Sequence, residues 1–251
     1  MFVRVNRRYA HTGIHGRVVH GVGRDIVSGV YRQGERLPNE AEFIARFNGS
    51  RTAIREAFRV LSAKGLLEAK QRAGTRVRAR EFWHMWDPDV LAWHPVKTLN
   101  VQMVQQLLEI RALVEPEAAR LITDRSDKIA KIQELEKLCR TMEYAWEDRD
   151  VAKVHELETG FHLALLENCG NEFLIRSSEA VRLILDYCHL VQLAQAGNYS
   201  GAARWYRLIV EKIKYGDSAN AANAVRSLII RDQELLRSRG YALSHRQSAV
   251  A

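Results

Sequence analysis

The sequence has little that would tie it to a membrane, an oxidising compartment or covalent catalysis. Its 251 residues include three cysteines, Cys139, Cys169 and Cys188, widely spaced and without a CxxC pair. An odd, scattered set of this kind excludes a disulfide framework and reads as reduced, buried thiols. No apolar run approaches the ~20 residues needed to cross a bilayer. Arg4, Arg7 and Arg8 lie near the start, but no apolar signal core follows them, so the expected location is the cytoplasm, with no membrane partner. There is no nucleophile elbow and no phosphate-binding glycine loop. No internal repeat is evident, and no strand-like alternation occurs beyond the first 80 residues.

What is present suits a packed soluble protein: 47% of residues are hydrophobic and 27% charged, which argues against disorder. The net charge of +8 is unevenly placed. Residues 1–80 carry 17 lysines and arginines against 6 acidic residues, whereas residues 81–251 carry 21 against 24. The positive excess therefore belongs to the first third of the chain, and a polyanion partner is expected for that part alone.

Periodicity divides the chain into a basic arm (1–14), a first domain (15–80), a linker (81–100), a helical domain (101–240) and a tail (241–251). Val18, Val19, Val22, Ile26 and Val27 recur at helical spacing, and Gly29 closes that helix. Gly34 to Pro38 reads as a loop, followed by a short helix over 40–47, the turn Asn48-Gly49-Ser50, and a helix over 51–64 that Ser50 caps and Gly65 ends. Two strand-like runs, 66–70 and 75–79, flank Gln71-Arg72-Ala73-Gly74. Three helices and a hairpin in about 65 residues form a winged helix-turn-helix. The stretch 81–100, with Trp83, Trp86 and Trp93 but little periodicity, reads as a linker that packs its tryptophans on a neighbour. Helical period then dominates 101–123, 126–148, 151–169, 171–196, 203–215 and 218–239, a bundle of about six helices. The fold class is mainly α.

The third helix is the candidate for DNA contact. Ile54, Phe58 and Leu61 form an apolar back, while Arg51, Arg55 and Arg59 step by four along another face. Such a helix suits a major groove about 12 Å wide, where arginine forks onto guanine O6 and N7, and Ser50 and Thr52 reach phosphate oxygens or a thymine methyl. Its N-terminal turn adds unpaired N–H groups that favour phosphate. The hairpin tip, Arg72 with Gly74, is placed to enter the adjacent minor groove. Reading a palindromic double-stranded operator takes two such helices, so a homodimer is expected.

The run Leu37-Pro38-Asn39-Glu40-Ala41-Glu42, then Ser50 to Ala57, Leu61 to Leu67 and Gly74-Thr75-Arg76-Val77, resembles the GntR family of winged-helix repressors. The resemblance implies DNA contact by Arg51, Thr52 and Arg55 from the recognition helix and by Arg72 and Gly74 from the wing. Arg111-x-x-x-Glu115-Pro116, Phe161-His162 and Gly170-Asn171 are similar to the helical ligand-binding domain of the FadR-type subgroup. Asp87-Pro88-Asp89-Val90-Leu91-x-Trp93 is similar to members that regulate sugar-acid catabolism, galactonate repressors among them. A small carboxylate or sugar-acid effector is therefore implied.

The same resemblance implies a divalent metal (Zn, Mn or Ni) held by a carboxylate, a histidine four residues on and two later histidines. Glu158 and His162 match the first pair, but Tyr206 and Leu228 stand at the two later positions. Two protein ligands rarely hold a metal, so the favoured reading of Glu158 and His162 is a hydrogen-bonded polar pair lining a ligand pocket with Tyr206. His155 and His189 are available as substitutes. Arg111, on a helix that is otherwise apolar on one side (Leu107, Leu108, Ile110, Leu113, Val114), needs an anion. Either an effector carboxylate supplies it, or a salt bridge to Glu115, Glu158 or a surface acid does. The expected protein is a ligand-responsive repressor and not an enzyme. The alternatives are a regulator without a working effector site and a metal-dependent enzyme built on Glu158 and His162.

Overall fold

The computed structural model describes residues 8–70, 74–193 and 203–238. The chain divides into two units, Met1–Thr98 and Leu99–Ala251.

In the first unit, α1 (Gly13–Val27) buries Val18, Val19, Val22 and Ile26 on one face. Helix α2 (Glu40–Phe47) starts at Asn39 with a capping box: the Asn39 side chain accepts from the Glu42 N–H, and the Glu42 carboxylate accepts from the Asn39 N–H. These two bonds satisfy donors that a bare helix end leaves open. Ser50 caps α3 (Arg51–Ala63) by accepting from the Ala53 N–H at 3.2 Å. Beyond Lys64, Gly65 turns the chain with φ of +80°, a left-handed conformation that favours glycine. The antiparallel pair β1 (Leu67–Lys70) and β2 (Gly74–Val77) follows, with Leu67 opposite Val77 and Lys70 opposite Gly74. The stretch 34–37, read from sequence as a loop, lies along the free side of β2. Leu37 N–H donates to Thr75 O, and Val77 N–H donates to Glu35 O. A loop pattern conceals this pairing because the partner strand is 40 residues away.

Residues 80–98 are built into the first unit. Trp83, Val90 and Trp93 are buried in the same core as Ile54 and Leu61, whereas Trp86 is exposed. Asp87 caps the short α4 (Pro88–Ala92). Lys64 donates to Asp87 at 2.8 Å and to Asp89 at 2.7 Å, and the Trp93 indole N–H donates to His20 Nδ1 at 3.0 Å. These bonds tie the segment to the end of α3 and the middle of α1.

The described residues of the second unit form helices joined by short turns, with no strand among them: α5 (Val101–Thr123), α6 (Lys128–Glu147), α7 (Val151–Asn168), α8 (Glu172–Ile175), α9 (Ser178–Leu193), α10 (Ala203–Lys214) and α11 (Ser218–Ser238). Helix α5 runs through Pro116 without ending. The span read as one helix over 171–196 breaks at Ser177, where the Ser177 and Ser178 hydroxyls bond back to the Leu174 and Ile175 carbonyls. Hydroxyls that compete for backbone carbonyls favour such breaks. Helices α5, α6, α7, α10 and α11 share a core around Ile122, Leu135, Phe161, Ile209 and Val225, all fully buried.

Candidate nucleic-acid interface and effector pocket

In the first unit, α3 turns Ile54, Ala57 and Leu61 inward and leaves Arg51, Thr52, Arg55 and Arg59 exposed. Phe58 is only partly buried and Ala57 takes the central inward position. The side chains of Arg51, Arg55 and Arg59 are 70%, 59% and 77% exposed, so three cations stand on one solvated face. Arg59 pairs with Glu56. Arg55 Nε donates to Glu40 Oε1 at 2.8 Å, and Arg51 Nε lies 3.6 Å from Glu40 Oε2. The hydrogen bond and charge of Glu40 raise the Arg55 pKa. Glu40 was absent from the sequence candidates, since a contact across two helices leaves no periodic trace. On the wing, a Cβ at Gly74 would meet the Arg36 guanidinium at 2.8 Å, so glycine there makes room for a second arginine. Arg72 lies outside the described residues.

In the second unit, Arg111 is fully buried and stands at the centre of a polar cluster. Its Nε donates to Glu115 Oε1 at 2.8 Å, its Nη1 to Asp232 Oδ2 at 2.7 Å, and its Nη2 faces His162 Nε2 at 3.2 Å. A guanidinium can only donate, so Nε2 of His162 accepts. The ring proton then sits on Nδ1 and goes to Glu115 Oε2 at 2.8 Å. The Tyr206 hydroxyl is 3.3 Å from the same Nε2. Burial alone would raise the Glu115 pKa, but Arg111 and His162 outweigh it and hold the carboxyl below its ordinary value. Of the two readings of Arg111, the structure places the internal salt bridge.

Beside this cluster a narrow, partly open pocket is lined by Glu158, Thr159, His189, Tyr206, Arg231 and Asp232 among others. Arg111 and His162 are not in the lining. Their polar atoms face Glu115, Asp232 and each other, and Arg231 is the guanidinium that lines the pocket. Glu158 has no hydrogen-bond partner among the described residues, and burial, followed by the charge of Asp232, pushes its carboxyl up to about 7. The Thr159 hydroxyl and His189 Nδ1 are buried and also lack partners there. The rings of His155 and His189 stack 3.9 Å apart, and His155 Nε2 meets Asp186 at 2.8 Å. Burial holds the Tyr206 phenol and the Cys188 thiol well above their ordinary pKa values, so neither is an anionic donor. His155, Thr159, Arg231 and Asp232 are pocket residues that sequence reasoning missed or named only as substitutes. Helical spacing from Glu158 is the one signal that reaches His155.

These side chains do not fit a divalent metal. Both nitrogens of His162 have protein partners, Tyr206 is a protonated phenol, and Leu228 is a buried hydrocarbon. Among the described residues no three histidine, cysteine or acidic side chains are grouped so as to hold an ion.

Comparison with known proteins agrees with this two-part construction. Residues 15–77 match the bacterial regulatory proteins of the gntR family, and residues 106–231 match the FCD domain. The chain is 30% identical over 214 residues to the galactonate operon transcriptional repressor of Escherichia coli, covering 85% of this chain and 92% of that protein. It is 30% identical over 176 residues to the Uxu operon regulator of Haemophilus influenzae, covering 70% of this chain and 59% of that one. Among solved structures, the Listeria monocytogenes regulator Lar superposes with a TM-score of 0.61 at 14% identity, over 92% of this chain and 99% of that one. That likeness concerns the fold. Among the described residues no helix is long and apolar enough to cross a membrane.

Proposed function

Because the chain belongs to the GntR family of bacterial regulatory proteins, with an FCD domain as its C-terminal unit, we propose that it represses an operon for sugar-acid catabolism and releases its operator when a sugar acid fills the second unit. It is a DNA-binding transcription regulator and not an enzyme. In this reading two copies bind a palindromic operator. Each inserts α3 into the major groove, with Arg51 and Arg55 toward base edges and Ser50, Thr52 and Arg59 toward the backbone. Gly74, the first residue of β2, approaches the adjacent groove, and Arg72, outside the described residues, is assigned to the same contact by its place in the sequence alone.

The effector is a small hydroxy-carboxylate. The observation that carries this is the pocket beside Tyr206, whose wall includes the Arg231 guanidinium and, among the described residues, leaves the Thr159 hydroxyl without a partner and gives the Glu158 carboxyl no hydrogen bond. Unpaired buried polar groups cost free energy, and a ligand that carries both hydroxyls and a carboxylate relieves that cost. Arg231 suits the carboxylate, while Glu158 and Asp232 suit hydroxyl donors. Arg111, His162 and Glu115 form a hydrogen-bonded cluster behind the pocket wall. The domain works without a divalent metal, since the guanidinium of Arg111 already supplies the buried positive charge. Effector binding shifts the population of operator-competent dimers by the difference in its affinity for the two states.

Fluorescence anisotropy tests this reading, with upstream duplex DNA at fixed salt, titrated with galactonate and other aldonates. Release at an acid concentration that also raises the melting temperature supports it. A complex that no member of the panel dissociates or stabilises overturns the effector assignment.

A further inference from the structure

We propose that Glu40 is a positioning residue for base readout: it presents Arg51 and Arg55 to DNA as a pre-arranged pair and holds down binding to DNA of other sequence. The proposal rests on the reading that α3 enters the major groove. Glu40 is the first residue of α2, where the positive end of the helix favours a carboxylate. From there it reaches α3 and meets both arginines through their Nε atoms, at 2.8 Å for Arg55 and 3.6 Å for Arg51. The contact to Arg51 is an ion pair and that to Arg55 a hydrogen bond, and among the described residues no other hydrogen bond engages either guanidinium. The two terminal nitrogens of each are therefore left for an outside acceptor, and they form the fork that matches guanine O6 and N7. Arginine side chains lose rotamer freedom when they are held on DNA, and a shared carboxylate removes part of that freedom before DNA arrives.

The same carboxylate acts in the opposite sense on DNA of the wrong sequence. Sequence-independent affinity comes from cations near phosphates, and Glu40 sets one negative charge among the cations of that face. It therefore favours the operator and disfavours random duplex, and both effects widen the ratio between them. Glu42, and not Glu40, completes the capping box, so Glu40→Gln leaves the cap of α2 in place.

The test uses the full chain, a duplex enriched by the wild-type protein from a random-sequence pool, and a scrambled duplex of equal length, at three salt concentrations. Glu40→Gln is expected to bind scrambled DNA more tightly and to lose about tenfold in the ratio of operator to scrambled affinity, with only a small fall in melting temperature from the lost charge at the start of α2. In an Arg55→Lys background, which keeps the charge and removes Nε, the same change is expected to reduce the ratio far less. An unchanged ratio in Glu40→Gln, or a fully additive cycle with Arg55→Lys, overturns the proposal. Loss of folding in Glu40→Gln is excluded by the melting temperature, and Glu40→Asp, with a shorter arm and the same charge, provides the second reading: it is expected to keep scrambled-DNA affinity low while losing part of the ratio. If Arg51→Ala and Arg55→Ala bind the enriched duplex like wild type, the placement of α3 itself falls, a result distinct from a failure of Glu40 alone.

Discussion

The Arg111 guanidinium lies 3.2 Å from His162 Nε2 and within 2.8 Å of carboxylate oxygens from both Glu115 and Asp232. One cation thus joins α5, α7 and α11 inside the second unit. Removing one member of a buried charged cluster leaves the others uncompensated, which costs about 3–5 kcal/mol. Arg111→Ala is expected to destabilise the second unit by that order in urea unfolding. Arg111→Lys, which keeps the charge and loses the fork, is expected to fall between. An Arg111→Ala protein with a wild-type midpoint would show that the cluster contributes nothing to folding.

With Nε2 of His162 accepting from Arg111, the lone pair a metal needs is already engaged. Dialysis against EDTA is expected to leave the melting temperature and the effector response unchanged, and elemental analysis is expected to find no stoichiometric Zn, Mn or Ni. A metal that co-purifies at one per chain, and whose removal lowers the melting temperature, would contradict this.

Glu158 makes stability depend on pH in a calculable direction. Its folded-state carboxyl is raised from 4.5 to about 7. Between those values the folded chain keeps a proton that the unfolded chain has released, so stability falls as pH rises across the window and levels off above it. The full effect is on the order of 3 kcal/mol. His94 and His189, drawn down to about 4 by burial, act in the opposite direction between pH 4 and their ordinary value of 6.5. The wild-type curve alone is therefore ambiguous. The measurement is the difference between wild type and Glu158→Gln in urea unfolding from pH 4.5 to 8. Wild type is expected to lose stability relative to the variant as pH rises, and a flat difference would show that Glu158 titrates normally.

How much of this was legible in the sequence depended on whether a feature is local. Asn39 with Glu42, Ser50 and Gly65 mark helix ends within a few residues of themselves, and the structure uses each of them as a cap or stop. The apolar period found α1 and α3, and the charge split singled out the DNA-binding unit. Features that depend on distant partners were not legible. Asp232, which receives Arg111, is 121 residues away in sequence, so the reading of Arg111 stayed divided between a ligand and a salt bridge. Residues 81–98 show no period because their helices are only three to five residues long. Their place in the first unit comes from side chains such as Trp93, which bonds to His20. The i, i+4 spacing correctly put Glu158 and His162 on α7. It said nothing of which way each side chain turns, and His162 turns to Glu115 while Glu158 lines the pocket.

Gly65 and Gly34 separate backbone conformation from close packing. Both have positive φ, +80° and +78°. A Cβ at Gly34 would meet nothing within 4 Å, whereas one at Gly65 would land on the Phe82 carbonyl oxygen. Gly34→Ala therefore bears only the left-handed penalty, about 1–2 kcal/mol. Gly65→Ala bears that penalty and must also move the backbone that leads from the wing to Trp83. Since Gly65 lies just past Lys64, the C-cap of α3, the displacement reaches the recognition helix. Gly65→Ala is expected to lower the urea midpoint of the first unit well below that of Gly34→Ala and to abolish operator binding, while Gly34→Ala keeps it. Tryptophan emission follows the unfolding, because Trp83 and Trp93 are buried in this unit, and anisotropy follows the binding. Equal midpoints for the two variants would mean that the Phe82 segment yields freely, and that residues 80–98 are held less firmly than the Lys64, Asp87 and Asp89 contacts imply.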